Sequence, residues 1–327
     1  MTRPKILVAR AIFPDVLAHL QSHFDVEANQ EDAPWSKADL MARLADKDGA
    51  FTTGSERIDD EVLAAAPHLR ICANMAVGVD NFDLAAMTAR QVQATNAPDV
   101  LTETTADFGF ALLMATARRI SESEAFLRRG EWTRWRYDLF AGAEVHGSTL
   151  GILGMGRIGQ AIARRGAHGF GMQVIYHNRS RLAPALEANC KARYVDKTEL
   201  LRAADHLVLV LPYTPESHHA VGAAELALMK PTATLINIAR GGTVDDLALA
   251  AALREHRIAA AGLDVFEGEP VVHPDLLALQ NLVLTPHIAS ATEATRRAMA
   301  QVAAGNLIAY LVQKVPVAGV NSVPIAM

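Results

Sequence analysis

Three side chains suited to handling a small carbonyl acid stand beyond apolar runs of this 327-residue chain: Arg240 after LINIA, Glu269 after AAAGLDV and His287 after NLVLTP. A 2-keto acid must be held by its carboxylate, polarised at C2, and given both a hydride and a proton. An arginine in a glycine-flanked turn can hold a carboxylate bidentately and still lean on the carbonyl oxygen. A histidine can donate the proton near neutral pH. Glu269 lies on the connection leading toward His287, and a carboxylate paired to that ring would stabilise the imidazolium and raise its pKa. Singly, each residue also has a plain structural reading, since strand-end Arg and His residues often serve packing and a lone Glu is usually solvated.

The hydride needs a donor, and the chain carries a loop that fits a dinucleotide. Gly154-Met155-Gly156-Arg157-Ile158-Gly159 follows the apolar run LGIL and precedes the helical AIARRGAHGF. In that setting Gly154 permits a tight turn, Gly156 lets a pyrophosphate approach the backbone, and Gly159 lets the helix pack close to the strand. The pyrophosphate would then sit on helix-terminal N–H groups. An acid at the end of the next strand would hydrogen-bond a ribose 2'-hydroxyl and repel a 2'-phosphate. Here the chain reads His177-Asn178-Arg179-Ser180-Arg181, with no acid. Two arginines, an amide and a hydroxyl make a phosphate cradle, so NADP(H) is favoured over NAD(H). The competing reading is an ordinary polar loop at a helix start.

These residues need a parallel sheet to bring them together, and the chain alternates accordingly. KILVA, DGAFTTG (48–54), LRICANMAVG (69–78) and QVQATN (91–96) are strand candidates separated by alanine- and leucine-rich helical stretches. A helix is expected from Thr102 to Arg119, opened by a Thr-Glu-Thr-Thr cluster, with a domain boundary near Pro98. SESEAFLRRGEW and TRWRYDLFAGAEVHG read as an irregular excursion from the domain body. From Ser148 the alternation resumes with STLGILG, MQVIYHN, HLVLVLP, ATLINIA, AAAGLDV and NLVLTP, six strands that would complete a doubly wound sheet. A last helix, from Ala291 to about Gln313, is expected to cross back to the first domain.

Composition restricts the partners. With 50% hydrophobic and 20% charged residues the chain can bury a large core, and its length predicts two domains. A net charge of -5 offers no general attraction to nucleic acid or to anionic membranes. Cys72 and Cys190 form no CxxC and no Cys/His zinc spacing, so no metal is expected and a reducing cytoplasm is the simplest setting. Arg10, Pro14 and Asp15 interrupt the first apolar stretch before signal-peptide length, and no spanning helix is expected.

Taken together, INIARGGTVDD, AAGLDVFEGEP, LTPHIASAT and GILGMGRIG resemble the signatures of the D-isomer-specific 2-hydroxy acid dehydrogenases. The likeness extends through MAVGVDNFD, TARQV, NAPDVLTETTAD and RRGEW in the first half. The resemblance implies an α/β protein of two doubly wound parallel sheets, with a Rossmann cofactor domain (101–289) inserted in a discontinuous flavodoxin-like substrate domain (1–100 and 290–327). It implies that Arg240 binds and polarises the substrate, Glu269 supports the histidine, and His287 is the acid-base. Val77 and Gly78 match the loop whose backbone amides hold the substrate carboxylate, and Ser290 matches a further substrate contact. Asp264 matches the aspartate near the nicotinamide amide. Thr104, Pro212, Ile238 and Ala289 match other positions lining the cofactor, with Ala289 where relatives usually carry Gly.

Within the family the chain most resembles bacterial NADPH-using glyoxylate/hydroxypyruvate reductases, also called 2-ketogluconate reductases. VGVDNFD, PDVLTETTAD, GEWT, GILGMGRIGQA and the ATEATRRAMA tail carry that likeness. The phosphite-oxidising branch has a lysine where Val77 stands, which argues against phosphite. The implied reaction takes a 2-keto acid to the D-2-hydroxy acid in a homodimer. Trp135 either reaches toward the partner's site or, with Trp132 and Arg134, packs the dimer interface. The rivals are an NAD-linked relative with another substrate and a dinucleotide-sensing corepressor. Pocket shape would depend on Met75, Phe140 and Trp135.

Overall fold

A computed structural model describes residues 3–323. The described residues form two compact units, one built from residues 3–101 and 292–323, the other from Thr102 to Ala291.

Among the described residues the first unit holds five parallel strands: β1 (Lys5–Val8), β2 (Asp25–Ala28), β3 (Gly49–Thr52), β4 (Ile71–Asn74) and β5 (Gln93–Thr95). Their order is β2-β1-β3-β4-β5, the flavodoxin-like arrangement. Alternation along β1 divides the core between the two faces of the sheet. Ile6 and Val8 pack with Val16 and Leu20 of the helix Pro14–His23 and with Ala300, Ala303 and Leu307 of the helix Glu293–Ile308. Leu7 points the other way, to Leu40, Leu44, Val62 and Leu63. Gly49 lets the chain's last helical turns close on the sheet, because a Cβ there would lie 2.8 Å from the Leu311 methyl. β2 has no counterpart in the sequence reading. It is an edge strand with no fully buried residue, so DVEA carries no apolar run to betray it.

The second unit holds seven parallel strands: β6 (Thr149–Leu153), β7 (Gln173–His177), β8 (Ala192–Tyr194), β9 (His206–Leu209), β10 (Thr234–Asn237), β11 (Ala260–Leu263) and β12 (Leu282–Leu284). The order β12-β11-β10-β9-β6-β7-β8 is a Rossmann sheet with one added strand, and its direction of winding reverses between β6 and β9. The seventh strand corrects the expected six. β8 is three residues long at the edge, with Arg193 exposed, and is too short and polar to show as an apolar run.

The helix Thr102–Ala117 belongs to this unit and lies close on the sheet. A Cβ at Gly262 would come 2.5 Å from Thr116 Oγ1 and 2.9 Å from Leu112 Cγ, and one at Gly109 would come 2.6 Å from the Ile238 methyl. The segment expected to be irregular begins instead as a helix, Ile120–Arg128, with none of its residues buried. Beyond it Trp132, Trp135 and Tyr137 are 56%, 77% and 87% exposed. Among the described residues no helix is long and apolar enough to cross a membrane.

Candidate active site

Because the seven strands run parallel, their carboxyl ends share one edge of the sheet, and β10, β11 and β12 are consecutive neighbours there. Arg240, the turn from Asp264 to Glu269, and the turn from Thr285 to Ser290 all follow those three ends. Neighbouring strands thus bring together residues far apart in the chain.

The Arg240 turn is fixed by polar groups that sequence reasoning passed over. Asn237 and Thr243, both essentially buried, face each other across the turn, with Asn237 Nδ2 3.2 Å from Thr243 Oγ1. Thr243 Oγ1 donates to the Arg240 carbonyl at 2.7 Å, and Asn237 Oδ1 accepts from the Ala239 amide at 3.0 Å. Gly241 lies against the next strand end so closely that a Cβ would fall 1.8 Å from the Phe266 carbonyl oxygen. The guanidinium itself donates to the Ala239 carbonyl at 2.9 Å. The signal that could have found these residues is the amide and hydroxyl flanking the arginine in an otherwise apolar stretch, NIARGGT.

His287 is set by an equally dense arrangement. Its backbone takes φ 54°, a left-handed conformation that costs a residue with a Cβ about 1–2 kcal/mol. Its amide donates to the Asp264 carbonyl at 2.9 Å, and Nδ1 lies 3.0 Å and 3.2 Å from the two Glu269 carboxylate oxygens. The imidazole is 45% exposed and Glu269 30%, so the Nδ1 edge is occupied while the ring remains open to solvent. With Nδ1 committed to a carboxylate, Nε2 is the nitrogen left to exchange a proton with a bound molecule.

Asp264 holds this turn together. Fully buried, its carboxylate accepts from Thr285 Oγ1 at 2.7 Å, from the Ile288 amide at 2.9 Å and from the Ala289 amide at 2.8 Å. A buried carboxylate needs such partners, and here they shape the loop carrying His287. Ala289 is buried on that turn and Ser290, half-buried, follows it.

The nucleotide loop follows β6, beside the point where the sheet reverses. Gly154 has φ 102°, and a Cβ there would meet the Val210 carbonyl oxygen at 2.6 Å. A Cβ on Gly159 would meet the Gly154 carbonyl oxygen at 2.3 Å, whereas one on Gly156 would meet nothing within 4 Å. Two glycines are therefore demanded by packing and the middle one borders open space at the start of the helix Arg157–Arg164, as a bound pyrophosphate requires. The residues present fit a dinucleotide. Met155 turns its side chain into the core and donates its amide to Asn178 Oδ1 at 2.8 Å, so Asn178 braces the loop. Arg157 is exposed and Ile158 half-buried at the opening of the helix.

The loop after β7 corrects one expectation. Arg181, counted with Arg179 in the phosphate cradle, instead grips Glu187 bidentately at 2.9 Å and 2.8 Å. Glu187 also accepts from the Tyr176 hydroxyl at 2.7 Å, and Arg181 and that hydroxyl hold its carboxyl below the usual carboxylate range. Burial pushes the Tyr176 hydroxyl up to about 12. His177 is tied to the Val195 carbonyl at 2.9 Å through Nδ1. Arg179 and Ser180 are exposed in the same loop, as is Arg181 despite its grip on Glu187.

Pro212 is exposed after β9, and its carbonyl accepts from Ser217 Oγ at 2.8 Å. Thr104 is half-buried in the helix that opens the unit. The Ile238 side chain is buried against Gly109, so packing occupies it. In the first unit, Val77 and Gly78 follow β4, again at a strand's carboxyl end. Their carbonyls accept from Asn96 Nδ2 at 2.8 Å and Asn74 Nδ2 at 2.9 Å, which fixes the loop.

Comparison with known proteins agrees with this fold. The family described as D-isomer specific 2-hydroxyacid dehydrogenase, NAD binding domain, matches residues 110–289. A glyoxylate reductase from Thermococcus gammatolerans is 49% identical over 323 residues, covering 98% of this chain and 96% of the relative. The NADPH-dependent glyoxylate/hydroxypyruvate reductase of Sinorhizobium meliloti, solved with NADP and malonate, superposes with a TM-score of 0.87 at 36% identity, covering 100% of this chain and 99% of its own. The holo D-mandelate dehydrogenase of Rhodotorula graminis superposes at 0.89 with 26% identity and full coverage of both chains.

Proposed function

The chain belongs to the D-isomer-specific 2-hydroxyacid dehydrogenase family, and from that premise we propose that it reduces glyoxylate with NADPH. Hydroxypyruvate and 2-keto-D-gluconate are the further substrates proposed. Glyoxylate would yield glycolate, and the others the D-2-hydroxy acid. The observation that carries the reading is the pairing of His287 Nδ1 with Glu269 at 3.0 Å, beside the strand end that presents Arg240.

The dinucleotide, when bound, supplies the hydride for C2. His287, its ring oriented by Glu269 at Nδ1, donates a proton from Nε2 to the oxygen on which negative charge develops. Arg240 stabilises that oxygen and orients the carboxylate. The amides of Val77 and Gly78 take the carboxylate, and Ser290 adds a further contact. On the cofactor side, the Gly154–Gly159 loop with Thr104, Pro212, the backbone of Ile238, Asp264 and Ala289 lines the dinucleotide, and His177 and Asn178 shape its adenosine end. Arg179 and Ser180 meet the 2'-phosphate, and the absence of an acid in that loop together with the NADPH-dependent Sinorhizobium relative supports NADPH over NADH. The exposed Trp132 and Trp135 support a homodimer in which they are covered. The setting proposed is the cytoplasm.

The test is a panel of glyoxylate, hydroxypyruvate, 2-keto-D-gluconate, pyruvate and phosphite, each with NADPH and NADH. The expected result is the highest kcat/KM for glyoxylate with NADPH. Preference for NADH overturns the cofactor assignment, and dinucleotide binding without turnover of any acid favours a sensor. Mass by light scattering tests the dimer.

A further inference from the structure

A second group of ligating side chains meets where the loops after β9 and β11 come together. His218 and His219 are adjacent in sequence, and adjacent side chains usually diverge. Here His219 has φ 50°, and its ring stacks on that of His218 with centroids 3.9 Å apart. His219 Nε2 lies 3.0 Å from Glu267 Oε2, and its Nδ1 lies 3.8 Å from Asp245 Oδ2. Asp245 is fixed in turn, accepting from the Leu247 and Ala248 amides at the start of the helix Asp246–Arg254. The Glu267 amide donates to Asp246 Oδ2 at 3.1 Å, and His218 Nδ1 lies 3.1 Å from the Tyr213 hydroxyl. One ligand atom from each of His218, His219 and Glu267 lies within 4.8 Å of the other two.

We propose that His218, His219 and Glu267 form a binding site for one divalent transition-metal ion, with Asp245 as the outer partner that orients the His219 ring. Two imidazoles and a carboxylate suit zinc, nickel or cobalt, whereas calcium and magnesium prefer all-oxygen sets. With bonds of about 2.0–2.1 Å, tetrahedral ligand atoms sit roughly 3.4 Å apart, so binding needs the ligand atoms to close by about 1 Å and the two rings, 23° from parallel, to rotate out of their stack until both lone pairs meet the ion. The side chains have room for this, His219 being 35% and Glu267 45% exposed. A carboxylate behind a ligating imidazole fixes ring and tautomer, a role Asp245 takes once its 3.8 Å separation from His219 Nδ1 closes to hydrogen-bond distance. Three protein ligands leave a coordination position for water. The ion would fasten the loop after β9 to the turn that carries Glu269, two residues beyond Glu267.

The experiment titrates untagged, chelator-treated full-length protein with Ni(II) and Co(II), following heat and, for Co(II), visible absorption. One equivalent should bind, with the stronger absorption of low-coordinate cobalt, and should raise Tm. His218→Ala and Glu267→Gln should each weaken binding by about 100-fold or more, and Asp245→Asn by about 10-fold. The ion-free variants should melt like ion-free wild type, which separates lost ligation from misfolding. His19 and His23 pair their rings 5.2 Å apart on another helix, so His19→Ala should leave the stoichiometry unchanged. No binding at about 1 mM ion, or equal binding by wild type and the His218 and Glu267 variants, overturns the proposal.

Discussion

The turns after β10, β11 and β12 and the loop after β7 lie on the same edge of one sheet, yet they are held in different ways. Around Arg240 and His287 buried polar groups do the positioning: Asn237 and Thr243 beneath the arginine, Asp264 beneath the histidine. Around Arg179 and Ser180 the braces grip neighbours instead, Asn178 on the glycine loop and Arg181 on Glu187. The residues assigned to the phosphate are left exposed. A site that must place a proton within tenths of an ångström is over-determined, because small misplacements cost large factors in rate. A site that tells one ribose substituent from another needs only charge at the right distance, and surface side chains supply that. The catalytic edge should therefore break sharply under substitution and the cofactor loop should retune gradually.

The largest expected effect is at the proton donor. His287→Ala should lower kcat by about 10²–10⁴-fold while dinucleotide binding, read by fluorescence, stays within about threefold of wild type. Unchanged turnover would remove His287 from the chemistry and the contrast with it.

Asp264→Ala comes next, and it tests whether the buried brace matters as much as the group it positions. Three donors lose their acceptor, each at a cost of roughly 1–3 kcal/mol if left unsatisfied in the interior. A clear drop in Tm should accompany a fall in kcat of about 10²-fold. A fall in Tm alone would show that the turn places His287 without its carboxylate brace.

These two residues also show what was legible. Arg240, Glu269 and His287 could be read because each is a reactive type at the end of an apolar run, and parallel strands put such ends together. Asp264 was visible as a residue but not in its role as a brace, since its three partners lie over twenty positions away. Asn237 and Thr243 were overlooked because buried polar partners carry no periodic signal. β2 and β8 were missed for the reason edge strands often are: with one side unpaired and both faces partly wet, they need no apolar alternation. The pairing of His219 with Glu267 joins residues 48 apart through a left-handed turn, which no spacing rule anticipates.

On the cofactor loop the effects should be smaller and confined to one substrate. Arg179→Ala should raise KM for NADPH by about 10–100-fold, the value of a hydrogen bond to a charged group, and leave KM for NADH within about twofold. An equal rise for both cofactors would place Arg179 at a part of the dinucleotide that they share.

The smallest effect on catalysis should come two residues later, which makes it the sharpest comparison. Arg181→Ala should change KM for NADPH by less than about twofold, because its guanidinium is taken up by Glu187. Its consequence should appear in stability against pH. Arg181, then Tyr176, lowers the folded-state pKa of Glu187, so the ion pair stabilises the protein above the unfolded value of about 4.3. That contribution is lost as pH falls through the lower folded value. The difference in urea midpoint between wild type and Arg181→Ala should therefore be constant above about pH 5 and close as Glu187 becomes protonated in both proteins. A rise in KM for NADPH matching that of Arg179→Ala would instead restore Arg181 to the cradle, and the division between brace and reader in this loop would fail.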